Sequence, residues 1–184
     1  AVRNGHTGVA LVNMGPTEML QGFVQGAVDA VCLWEPLSTR ARKTGGGKVL
    51  VSGTQSNILG KQGPKRVYGD HAVLFTTDAF IRDQAQTLRA VLTAVARANE
   101  FIDKSKSEAT AILAKEFGFD PVDMAGIMGV NRYTLVLDDE LAADLNKLSD
   151  FLHGLKRIQS PVKAADWTDP APLKAVRPEL VKLK

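Results

Sequence analysis

The apolar positions follow two different rules along the chain, and the change near residue 70 divides it. Before that point, short apolar runs without alternation stand between helical patterns. Val9 to Val12 is a β-branched run, and "NMGPT" after it carries turn residues. Met19, Leu20, Phe23, Val24 and Ala27 then recur at helical spacing, which predicts a helix from Thr17 to about Gln25 with Gly26 as its C-terminal cap. Ala30 to Trp34 is apolar on every position, the signature of a strand covered on both faces. Pro36 suits the first turn of a second helix, "TGGGK" ends it, and Val49 to Ser52 reads as a third strand. The predicted order is β-α-β-α-β, a small parallel sheet with right-handed crossovers.

From Gly53 to Asp70 the chain is polar and glycine-rich, and helical patterns dominate beyond it. His71 to Thr77 is a strand candidate. Thr77 or Asp78 caps a long helix whose apolar face holds Ile81, Leu88, Val91, Leu92, Val95, Ala98 and Ile102. Further helices are predicted at Ser107 to Phe117, ended by Gly118, and from Pro121 to about Met128 with Asp120 as cap. "RYTLVL" is extended, and Asp138 or Asp139 opens a helix lined by Leu141, Leu145, Leu148, Phe151, Leu152 and Leu155. The proline-rich "SPVKAADWTDPAPLKAVRP" is expected to wrap a surface without regular structure. The expected divisions are 1–70 and 71–184.

Composition narrows the classes. With 184 residues, 45% hydrophobic and 23% charged, the chain can bury one ordinary core or two small ones. The net charge is only +3 and the basic residues are dispersed, so a nucleic-acid surface is not indicated. Cys32 is the single cysteine, which excludes an internal disulfide and a multi-thiolate zinc site. No apolar stretch is long enough to span a bilayer, and "AVRNGHTG" is not a signal core.

In open α/β sheets ligands sit beyond the carboxyl ends of the strands, where helix N-termini offer N–H groups. Three segments meet that condition: Asn13-Met14-Gly15-Pro16-Thr17, Trp34-Glu35-Pro36 and Ser52-Gly53-Thr54-Gln55-Ser56. Together they would supply amide and hydroxyl donors, an aromatic wall and a carboxylate, with no evident nucleophile and base. Each has a plain structural alternative. Trp34 can be a core or capping residue, Glu35 a first-turn acid favoured by the helix dipole, and Gly15 and Thr17 turn and cap residues. His71 opens a strand candidate and reads first as a structural histidine with a cleft contact as the alternative, whereas His6 and His153 lack partners in sequence.

"QGAVDAVCLWEP" resembles the second lobe of periplasmic solute-binding proteins of ABC importers, in the nitrate, sulfonate and taurine group that also holds thiamin-precursor binders. Gly26, Val28, Asp29 and Ala30 match its Gly-x-(Val/Ile)-Asp-Ala stretch, and Trp34, Glu35 and Pro36 its Trp-(Asp/Glu)-Pro. "LFTTDAFIRDQAQTLRAVLTAVARANEFI" is similar to the strand and long helix that leave that lobe, and "SPVKAADWTD" to the C-terminal ending.

The resemblance implies a type II binding fold of two lobes with parallel-type sheets and a helical C-terminal region. It further implies that most of the first lobe is missing, with 1–70 from the second lobe and 71–184 returning to the first. The implied function is capture of a small polar or anionic solute and delivery to a membrane permease, by a periplasmic or membrane-anchored extracellular monomer. Asn13, Gly15, Thr17, Trp34, Glu35, Pro36 and His71 are the implied ligand residues, and no catalytic residue, metal or cofactor is implied. Two other classes share the fold. A thiamin-pyrimidine synthase-like enzyme is marked by a cysteine-rich segment that a chain with only Cys32 lacks, and a transcription regulator's sensing domain should be joined to a helix-turn-helix.

Overall fold

In a computed structural model, residues 8–66 and 69–184 are described, and the chain forms two compact units, 1–64 and 65–184. His6 lies outside the described residues. The architecture is mixed: among the described residues helices predominate, with two small two-stranded sheets.

The first unit is built on helices α1 (Pro16–Val24) and α2 (Leu37–Gly45), which pack together. Helix α1 ends as its sequence predicts. Gly26 is left-handed (φ 74°), its N–H donates to the Phe23 carbonyl, and the Ala27 N–H reaches the Gly22 carbonyl at 2.8 Å, the paired bonds of a Schellman turn. Helix α2 stops on Gly46, also left-handed.

The expected parallel sheet is not formed. Val9–Val12 and Ala30–Trp34 carry no regular secondary structure, and Val9, Leu11 and Val12 stand exposed. Val49–Ser52 is captured locally instead. The Ser52 N–H donates to the Gln55 carbonyl, its hydroxyl accepts from the Gln55 N–H, and the Asn57 N–H donates to Leu50, so Val51 pairs antiparallel with Ser56. A serine that closes a tight turn on its own backbone has taken the hydrogen bonds a parallel ladder would need. The strand β1 (Gln55–Ser56) continues antiparallel to β2 (Gly63–Pro64), inside the polar, glycine-rich stretch.

The second unit is mostly helical. The long helix is divided at Gln84 into α3 (Asp78–Asp83) and α4 (Ala85–Lys104), and the Thr77 hydroxyl accepts from the Phe80 N–H as the predicted cap. Helices α5 (Lys106–Phe117) and α6 (Pro121–Gly129) make the main packed pair, with Gly118 left-handed between them and Asp120 capping α6 through the Val122 N–H. Ala109, Ala114, Met124, Ile127 and Met128 form the core, closed at its edges by Ile102, Leu113, Phe119 and Tyr133.

Strand β3 (Leu137–Asp138) precedes α7 (Asp139–Gly154), whose first turn is capped by Asp138 through the Leu141 N–H at 2.9 Å. His71–Thr77 is not a strand, and Val73, Leu74 and Phe75 are exposed, Phe75 to 93%. The tail is more regular than expected. It holds α8 (Ala164–Trp167), α9 (Ala171–Val176), a 3₁₀ turn (Pro178–Leu180) and β4 (Val181–Lys182), which pairs in parallel with β3. Proline favours the first turn of a helix: Pro172 stands in the first turn of α9, whose N-cap is Pro170, and Pro178 opens the 3₁₀ turn. Helix α7 anchors the tail: Ser149 Oγ accepts from the Val162 N–H at 2.6 Å and Asn146 Oδ1 from the Ala164 N–H at 2.7 Å.

Candidate functional site

The candidate residues of the first unit stand at the N-terminal ends of α1 and α2. Trp34 is fixed by its backbone and free at its ring: its carbonyl accepts from the Ser38 N–H at 3.1 Å, starting the helical bonds of α2, while the residue is 55% exposed. Glu35 turns back on the same helix. One carboxylate oxygen accepts from the Ser38 hydroxyl and the other from the Thr39 N–H at 3.2 Å. Its charge therefore sits at the positive end of the helix and satisfies an otherwise unpaired donor. The Glu35–Pro36 peptide is cis.

A similar local arrangement holds α1. Gly15 is the N-cap, and its N–H, expected to face an anion, donates to the Glu18 carboxylate at 2.9 Å. Asn13 and Thr17 are exposed beside it. Glu35 and Gly15 thus have their polar groups occupied within their own helices, leaving the indole of Trp34 as the exposed apolar surface at the start of α2. Ser52 and Gln55 are spent on their turn.

His71 belongs to the second unit and to a cluster that no sequence pattern announced. Its Nε2 lies 2.9 Å from Asp144 Oδ2, and since a carboxylate only accepts, that nitrogen carries the hydrogen. Arg66 donates to the same oxygen at 2.6 Å and to Glu140 Oε1 at 2.7 Å, and Lys147 lies 3.4 Å from the other Asp144 oxygen. Gly69 allows this approach, for a β-carbon there would meet Asp144 Oδ2 at 2.5 Å. Asp144 and Glu140 are one turn apart on α7, whereas Arg66 and His71 flank Gly69 more than seventy positions earlier. The cluster joins those two distant parts of the second unit.

The hydrogen bond from His71 holds the Asp144 carboxyl below the ordinary carboxylate range, aided by the charges of Arg66 and Lys147 and opposed by burial. Hydrogen bonding to Glu140 and the charge of Asp144 raise Arg66. Because Asp144 is depressed in the folded protein, its stabilising contribution is complete above the unfolded carboxyl value of about 3.9 and is lost as pH falls through the lower folded value. The urea midpoint of the Asp144→Asn variant is therefore expected below the wild type's at pH 7, with the gap closing below about pH 4. A gap that stays constant down to pH 2.5 would assign the effect to something other than the carboxylate charge.

The described residues include no group of three or more His, Cys, Asp or Glu side chains that could hold a metal ion, and no helix long and apolar enough to cross a membrane. The family model of the NMT1-like family matches residues 4–116, which include both helix starts, the Trp-Glu-Pro stretch and His71. The chain belongs to the NMT1-like family. This is the family of nitrate/sulfonate/taurine-type ABC substrate-binding proteins, and it supports a solute-binding role. No curated protein and no solved structure matches the chain. Membership rests on residues 4–116, so residues 117–184 are known from their own structure alone.

Proposed function

We propose that this NMT1-like protein is the solute-binding component of an ABC importer, capturing a small polar or anionic solute of the sulfonate, taurine or nitrate kind and delivering it to a membrane permease. The observation that carries the reading is Trp34: an indole more than half exposed, held by its backbone at the first turn of α2, in a chain whose family supports solute binding. An exposed aromatic on a rigid element is a ready contact wall for a ligand. Asn13, Thr17 and the turn at Gly15 and Pro36 complete the proposed ligand surface in the first unit, whereas His71, in the second unit, is held by Asp144. Glu35 serves it indirectly by fixing the helix that carries Trp34.

On this reading the type II fold has its lobes divided as 1–70 and 71–184, the protein acts as a periplasmic or membrane-anchored monomer, and binding needs no metal or cofactor. The test is a thermal-shift screen against taurine, alkanesulfonates, nitrate, bicarbonate and thiamin precursors. A ligand that binds only the folded state raises its stability by about 2.7 kcal/mol at a hundredfold excess over its Kd. Trp34→Ala is expected to leave the unliganded melting temperature nearly unchanged and to weaken the active ligand by roughly tenfold or more. Glu35→Ala is expected to do the reverse first, lowering the unliganded stability by about 1 kcal/mol through loss of a helix-start acceptor. No shift with any ligand, or one indifferent to Trp34→Ala, would remove the proposal.

A further inference from the structure

The C-terminal end of α7 differs from the other helix ends of the chain. Where α1, α2 and α5 leave the helix through a left-handed residue, that residue is glycine: Gly26, Gly46 and Gly118. At the end of α7 it is Lys156, with φ 56°, the one non-glycine residue with positive φ among those described. The turn around it is complete. The Lys156 N–H donates to the His153 carbonyl at 2.8 Å and the Arg157 N–H to the Leu152 carbonyl at 2.9 Å, as in a Schellman turn. A β-carbon in this conformation crowds the following carbonyl, so lysine is strained where glycine is not.

Lys156 also belongs to a concavity of about 280 Å³ lined by His153, Lys156, Arg157, Ile158 and Gln159. Among the described residues His153, Lys156 and Arg157 are all exposed and none has an ion-pair partner, so two basic side chains and a histidine share one turn with no carboxylate beside them. Cations do favour helix C-termini. That preference is met anywhere in the last turn and requires neither the left-handed position nor a bond to the carbonyls, two of which the turn's own N–H groups already take. The strained lysine, the concavity and the unpaired charges have one common explanation.

We infer that this concavity is a binding site for a phosphate-type oxyanion. The Arg157 guanidinium offers a fork suited to two oxygens, Lys156 a compact charge, and the His153 ring and the Gln159 amide further donors. The anion's source is either free phosphate or the headgroup of an anionic lipid. The site lies on residues 153–159 and does not depend on the proposed role of Trp34.

Amide-resolved NMR titration of the whole chain with inorganic phosphate tests it, beside sedimentation with phosphatidylglycerol vesicles and, as control, phosphatidylcholine vesicles. Phosphate is expected to shift the amides of residues 153–159 saturably. Phosphatidylglycerol-dependent sedimentation that phosphate competes away assigns the site to a headgroup, and its absence assigns it to the free anion. Lys156→Gly is expected to weaken binding roughly tenfold, the scale of one lost charge-assisted contact, while raising the melting temperature by about 2–4 °C as the backbone relaxes. Arg157→Gln, which leaves the left-handed position intact, is expected to weaken binding without that rise. Absence of both phosphate shifts and phosphatidylglycerol-dependent sedimentation, shifts centred elsewhere, or binding untouched by both variants would overturn the site.

Discussion

Met128→Ala is expected to destabilise the second unit by about 2–5 kcal/mol, the range for truncating a buried methionine to alanine. Met128 is 2% exposed and is the largest fully buried side chain described. It lies in the cluster formed by α5 and α6 with Ala109, Ala114, Met124 and Ile127. Two of those four neighbours are alanines, which have no side-chain length with which to move into a vacated space. The void therefore persists, and a persistent void costs more than the transfer of the lost atoms alone. The polar side of the site moderates nothing: Thr110 Oγ lies 3.2 Å from the Met128 sulfur but also donates to the Lys106 carbonyl at 2.8 Å, so the hydroxyl keeps a partner when the sulfur is gone. Met128→Leu, near in volume, is expected to cost less than about 1.5 kcal/mol. Urea unfolding reads the effect as a lower midpoint at unchanged slope. Equal losses for the two variants would mean that the methionine contributes through its sulfur and not through the space it fills.

Legibility in the sequence followed the range of the interactions. Helix ends were readable because their chemistry is local: Asp120 and Asp138 cap through N–H groups two or three positions on, and Gly26, Gly46 and Gly118 take the left-handed turn where the apolar pattern stops. The strands were not readable in the same way. An apolar run such as Ala30–Trp34 or Val73–Phe75 states a preference for burial, but a ladder also needs a partner segment, and at Val49–Ser52 the nearest partner was the chain itself five residues on. The break at Gln84 leaves the apolar periodicity on either side intact, so periodicity did not reveal it.

The candidate site divided along the same line. Trp34 and Glu35 were marked by their place at the end of an apolar run, and the structural alternative weighed for Glu35, an acid at a helix start, is the one its bonds describe. Ser38, three positions later, was the signal that could have decided it. The Asp144 cluster had no such signal, because its members are separated by more than seventy positions and Gly69 between two of them looks like any other loop glycine.

Gly47→Ala is expected to cost the first unit about 1–3 kcal/mol, as overpacking of a fitted contact does. A β-carbon at Gly47 would meet the Phe23 ring at 2.9 Å and the Ala41 carbonyl oxygen at 3.3 Å, and the second of these is backbone that cannot rotate away. Gly45 faces the same ring at 3.0 Å, so the ring lies against two of the three glycines that end α2 while Gly46 supplies the left-handed turn. The triple glycine is thus the seat for an aromatic side chain of α1, and this contact helps fix how the two helices cross. Since Trp34 rides on the first turn of α2, loosening the seat disturbs the proposed ligand surface from the opposite end of the helix. Phe23→Leu alone is expected to be destabilising, yet in combination with Gly47→Ala the two losses should sum to less than their separate values, by about 0.5 kcal/mol or more, because the smaller side chain makes room for the added methyl. Strict additivity in that cycle would show that the cost arises at the Ala41 carbonyl, and the helix crossing would then depend on backbone contact instead of the ring.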